Sequence, residues 1–64
     1  MDKEELFERI KKDNGNTIVL GFSNGKAVNA TISLALELGN EDRIIVNELT
    51  RNDDFSVTIK AYVK

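Results

Sequence analysis

GFSNGKAVNATISLALELG, residues 21–39, can adopt two conformations that lead to different folds. Asn24 and Gly25 stand between apolar residues, and an Asn-Gly pair in that position is a strong signal for a two-residue β-hairpin. Such a hairpin would place the polar side chain of Asn29 opposite Leu20, a residue suited to the core. The hairpin therefore conflicts with the burial of the apolar residues before it.

As a helix, the same segment is cleanly amphipathic. Its polar residues recur at three- and four-residue steps and form one stripe, while apolar residues fill the rest of the circumference. Gly39 can end the helix, and Ser23 or Asn24 can cap its first turn. The sequence thus predicts a strand, a short loop and a helix entered on a lysine. The polar stripe consists of Lys26, Asn29, Ser33 and Glu37.

The segments on either side supply one more helix and three strands. Residues 1–15 read as a helix capped by Asp2 and stopped by Gly15, with Lys11 and Lys12 in the last turn. Alternating apolar residues predict strands over residues 16–23, 43–50 and 55–64.

The order helix, strand, helix, strand, strand predicts an α+β fold. A right-handed crossover would make the first two strands parallel, and the long last strand fits between them as the centre of a split βαβ unit. We expect a two-layer sandwich with a three-stranded mixed sheet and both helices on one face. An even-length loop would pair Thr50 with Phe55, point Ile44 and Val46 to the core, and turn Glu48 inward.

Composition restricts the class of protein. A chain of 64 residues forms one domain, residues 1–64, and a domain this small hides only about 60% of its unfolded surface. It has no Cys and no His, which removes disulfides and the usual zinc ligands, and the net charge is −2. No membrane span or signal peptide is apparent. We expect a cytoplasmic protein that is stabilised by pairing with a second copy, without metal or cofactor.

Two catalytic motifs can be compared with the loop between the first strand and the second helix. A P-loop needs GxxxxGK followed by Ser or Thr, but the two glycines here stand one residue too close and Ala27 replaces the hydroxyl. A Ser–Lys pair as in S-x-x-K needs a buried lysine, which nothing here provides. We expect no enzyme and no catalytic residue. The loop remains a candidate anion contact through Ser23, Asn24, Gly25 and Lys26.

The sheet face away from the helices is the predicted interaction surface. It combines apolar residues with cations and one aromatic side chain, and no acid lies among them. Such a face could bind another protein or a second copy of the chain. An aromatic side chain among cations is also typical of surfaces that bind single-stranded nucleic acid. The predicted surface consists of Val19, Arg43, Ile45, Leu49, Lys60, Tyr62 and Lys64.

GKAVNATISLALELGNEDRIIVNE, residues 25–48, resembles the first helix and second strand of the Alba-type archaeal nucleic-acid-binding proteins. Those proteins also enter that helix on a lysine, so the resemblance implies a nucleic-acid contact at Lys26. Their wider fold class matches this element order once a strand is removed. The second helix and the basic character of that group are absent here. GKAVNA also resembles a segment of the histidine phosphocarrier family, whose active histidine this chain lacks.

The sequence therefore predicts a small non-enzymatic binding module for protein–protein contact, homodimeric through its open sheet face. The first alternative is a nucleic-acid binder that uses Arg43, Lys60, Tyr62 and Lys64. The second is a designed or orphan domain without an evolved ligand.

Overall fold

The computed structural model describes all residues, Met1–Lys64. It contains two helices and three strands in the predicted order: α1 Lys3–Lys12, β1 Thr17–Gly21, α2 Gly25–Asn40, β2 Ile44–Arg51 and β3 Ser56–Val63. The prediction of an α+β fold is confirmed.

The strand order is β1-β3-β2, which confirms that the last strand is central. β3 runs antiparallel to both neighbours, so the prediction of a mixed sheet is wrong. β1 and β2 do run in the same direction, but β3 separates them, and every hydrogen-bonded pair in the sheet is therefore antiparallel.

Eleven buried apolar residues form a single core cluster. Leu6 and Ile10 come from α1, and Val28, Ala35 and Leu38 come from α2. The strands contribute alternate residues, as expected for one buried face. These are Ile18, Leu20, Ile44, Val57, Ile59 and Ala61.

The hairpin between β2 and β3 differs from the predicted one. The Asn52 N–H donates to the Ser56 carbonyl oxygen at 2.9 Å, so the last pair of the hairpin encloses a loop of three residues, 53–55. Phe55, the last loop residue, has φ +58°, in the left-handed region that this loop type normally gives to Gly. Thr50 consequently pairs with Thr58, and the prediction that it pairs with Phe55 is wrong.

A β-bulge between Val46 and Glu48 shifts the pairing back by one residue towards the predicted register. On the far side of the bulge Ile44 and Val46 face the core as predicted, with Ile44 buried. Nearer the loop the bulge exchanges the two faces of β2. Glu48 is therefore exposed opposite Lys60, and Leu49 lies opposite Ile59 and packs against the core. The prediction of an inward Glu48 is wrong.

α2 continues past Gly39, which was the predicted stop. The helix ends at Asn40, and Asp42 takes the left-handed conformation with φ +61°. The Asp42 N–H donates to Gly39 and the Arg43 N–H donates to Leu38, which is the hydrogen-bond pattern of a Schellman motif. Asp serves here because its short polar side chain tolerates positive φ better than most residues.

Candidate functional site: the outer sheet face

The outer face of the sheet carries four of the predicted surface residues. Val19, Ile45 and Tyr62 are 59%, 49% and 40% exposed, and Lys60 is half-buried between them. They share a face because Val19 pairs with Thr58, Ile45 pairs with Tyr62, and alternate residues of β3 point the same way. The structure therefore brings the three apolar side chains and one cation onto one surface.

Two other predicted residues do not lie on this surface, and a third is engaged in an ion pair. Leu49 faces the core, because the bulge reverses that part of β2. Arg43 reaches α1, where its two terminal nitrogens donate to both carboxylate oxygens of Glu4 at 2.8 and 2.9 Å. Its guanidinium also lies 4.1 Å from the centre of the Phe7 ring. Lys64 pairs with Asp42 at 2.9 Å.

These ion pairs change the acid–base behaviour of their members. The Arg43 guanidinium lowers the pKa of the Glu4 carboxyl through their hydrogen bonds, and Glu4 in turn raises the pKa of Arg43. The hydrogen bond from Lys64 likewise lowers the pKa of Asp42. Two of the three cations predicted for the open face are thus already neutralised within the chain.

Several residues of this face were missed by the sequence reading. Glu48 lies opposite Lys60, so the remaining cation faces an acid. Hydroxyl side chains surround the apolar residues, and Asn52 donates to Ser56 and Thr58 at 3.0 and 2.9 Å. Glu48 and Thr50 of β2 lie on this face because of the bulge, and no residue type in the sequence predicts a bulge there. The residues missed on this face are Glu48, Thr50 and Asn52, whereas Thr17 and Thr58 lie there as their alternation along the strands predicts.

Tyr62 is held in place by the turn between α1 and β1. A Cβ atom on Gly15 would lie 2.6 Å from Cε1 of the tyrosine ring, so the ring packs directly over this glycine. Gly15 has φ +82°, and its N–H donates to the Ala61 carbonyl oxygen at 2.9 Å. The side-chain oxygen of Asn14 accepts from the Val63 N–H at 2.8 Å. The turn therefore packs against the Tyr62 ring and bonds to the backbone on both sides of it.

The candidate anion contact forms a well-capped helix start. The side-chain oxygen of Asn24 accepts from the Ala27 N–H at 2.9 Å, which assigns the cap to Asn24. Ser23 and Lys26 are exposed. Arg51, which the sequence reading missed, lies beside this turn: its Nη2 is 3.2 Å from where a Cβ on Gly25 would stand. Its Nη1 donates to Asn29 at 2.8 Å.

No protein-family model, curated protein or solved structure matches this chain. The resemblance to the Alba-type proteins therefore stays a prediction. No helix in the structure is both long and apolar enough to cross a membrane.

A shallow depression of about 560 Å³ runs along the exposed side of α1. Met1 is its single apolar lining residue, and the others are charged side chains of both signs. It contains no cluster of acidic, His or Cys side chains suited to a metal ion. The outer sheet face, with its three exposed apolar residues, is the better candidate for a binding site.

Proposed function

We propose that this protein is a small cytoplasmic binding module, without catalytic activity, that contacts another protein through the outer face of its sheet. The observation that carries the proposal is that Val19, Ile45 and Tyr62, all at least 40% exposed, share one face of the sheet. Exposed apolar side chains that are set among polar ones are typical of protein-binding surfaces.

The proposal includes a two-layer arrangement in which both helices cover one sheet face and leave the other open. Its support is the composition of the core. Leu6 of α1 and Ala35 of α2 belong to one cluster with Ile59 of the central strand, whereas Lys60 and Tyr62, which point the other way, do not.

The electrostatics of the face favour a protein over a nucleic acid. A single-strand binder needs cations that are free to follow the phosphate backbone. Arg43 and Lys64 are ion-paired with Glu4 and Asp42, and Lys60 faces Glu48. A face with little net charge suits a partner surface that is itself mixed and near neutral.

Site-specific photo-crosslinking tests the proposal. A benzoylphenylalanine in place of Ile45 should form adducts with a different protein in an extract of the source cells. The matched control is Leu36, which is 54% exposed on α2 and should form none. An adduct at position 45 that ribonuclease or deoxyribonuclease removes would establish the nucleic-acid alternative. Absence of any adduct beyond those of the control would support a domain without an evolved ligand.

A further inference from the structure

We propose that the free edge of β1 pairs with β1 of a second copy, so that two molecules form one continuous six-stranded antiparallel sheet. Val19 would meet Val19 of the second copy at the twofold axis, and Thr17 would face Gly21. This interface uses the backbone groups at the edge of β1, whereas the proposed protein contact uses side chains of the outer face, and Val19 belongs to both.

The direction of the backbone groups on β1 supports this pairing. The Phe22 N–H donates to the Phe55 carbonyl oxygen at 2.8 Å, in the register of the β1–β3 ladder. Hydrogen-bonded residues alternate along an antiparallel pair, so Ile18 and Leu20 direct their N–H and C=O groups at β3. Thr17, Val19 and Gly21 therefore direct theirs at the free edge.

No helix and no second strand covers that edge. Only β3 lies alongside β1, and neither helix approaches its backbone. Thr17, Val19 and Gly21 are all exposed. Their outward N–H and C=O groups thus form a row of unpaired donors and acceptors, which is the surface that a further strand recognises.

The sequence of β1, Thr-Ile-Val-Leu-Gly, lacks the features that normally block edge pairing. It contains no charged residue, no proline and no bulge, and its five residues are an ordinary strand length. The other edge strand, β2, is protected by its bulge and by Glu48 and Arg51. The edge of β1 is therefore less protected against strand pairing than the edge of β2, and a second copy should pair with β1.

The pattern of β1 is self-complementary about Val19. In an antiparallel pair centred there, Ile18 of each copy lies opposite Leu20 of the other on the core side. Both residues are only 7% exposed in the single chain, so the pairing extends the core without exposing new apolar surface. Val19, Thr17 and Gly21 share the outer side, where no like charges meet. In the same register, the outward N–H and C=O groups of Thr17, Val19 and Gly21 in one copy face those of Gly21, Val19 and Thr17 in the other.

Light scattering across a dilution series tests the proposal with three variants. Val19→Pro removes an outward N–H that β3 does not use, and proline is tolerated at strand edges. Val19→Lys places two like charges at the twofold axis. Ile45→Lys is the matched control, because Ile45 lies on the same face but on the other edge strand. Circular dichroism establishes whether each variant is folded. If Val19→Pro does not fold, the dimer mass of Val19→Lys alone tests the proposal.

The expected result is that the wild type moves from 7.2 kDa towards twice that mass as concentration rises. Both Val19 variants should raise the dimer dissociation constant by about tenfold or more, while Ile45→Lys leaves it unchanged. A wild type that stays monomeric, or dimers that survive both Val19 variants, would overturn the proposal. Equal losses in Val19→Lys and Ile45→Lys would also overturn it and would show that copies meet through the outer face.

Discussion

Phe55 shows most clearly how one residue sets the register of this fold. It occupies the left-handed position of the β2–β3 loop with φ +58°, and it is 47% exposed. A bulky residue is rarely found there, because its Cβ crowds the following carbonyl. This loop type normally has Gly at the left-handed position, so a Phe there does not predict it. This is why the predicted partner of Thr50, Phe55, lies three residues before the observed partner, Thr58, on β3.

We expect Phe55→Gly to stabilise the protein by about 1 kcal/mol, because Gly adopts this backbone conformation without steric cost. The measurement is the free energy of unfolding from urea titrations. Phe55→Ala is the control: it removes the ring but keeps the crowded Cβ, and it should not stabilise. Loss of stability in Phe55→Gly equal to that in Phe55→Ala would show that the ring contributes more than the backbone conformation costs.

The pair of Glu4 with Arg43 gives a pH-dependent prediction. Because Arg43 lowers the pKa of Glu4, the folded state binds a proton on that carboxyl less readily than the unfolded state does. The contribution is complete above about pH 5 and is lost as the pH falls through the lowered pKa. Glu4→Gln should therefore show a smaller fall in urea midpoint between pH 7 and pH 3 than the wild type. Glu5→Gln, one residue along the same turn, should behave as the wild type, and equal falls in all three proteins would contradict the prediction.

At the scale of the elements, α2 was the most predictable part and β2 the least. The amphipathic pattern of α2 is intrinsic to its sequence, and its polar stripe is exposed as expected. The bulge at residues 46–48 follows from the competing demands of a short loop at one end and the burial of Ile44 at the other. Because both demands come from tertiary packing, the residues around the bulge do not predict it. The prediction of an outward Leu49 was wrong for that reason.

The cap of α2 gives a prediction for this element. Asn24→Ala removes the side-chain oxygen that accepts from the Ala27 N–H, and it should lower the free energy of unfolding by about 1 kcal/mol. Ser23→Ala, at the neighbouring exposed position, is the control and should have little effect. Equal small losses in both variants would mean that the cap does not stabilise the helix.

At the scale of the whole molecule, two surfaces that share Val19 remain available for association. The outer face offers Val19, Ile45 and Tyr62, and the edge of β1 offers a row of backbone donors and acceptors. The sequence predicted the three exposed side chains, because their alternation along the strands is local. It could not predict which cations stay free, since the pairing of Arg43 with Glu4 joins residues far apart in the chain.

Amide hydrogen exchange, measured residue by residue at increasing dilution, tests the edge pairing most directly. The Leu20 N–H points at β3 and should stay protected at every concentration. The Val19 N–H points away from β3, so it should be protected in concentrated solution and exchange faster on dilution as the dimer dissociates. Fast exchange at Val19 at all concentrations would contradict the account, as would protection of Val19 that does not depend on concentration.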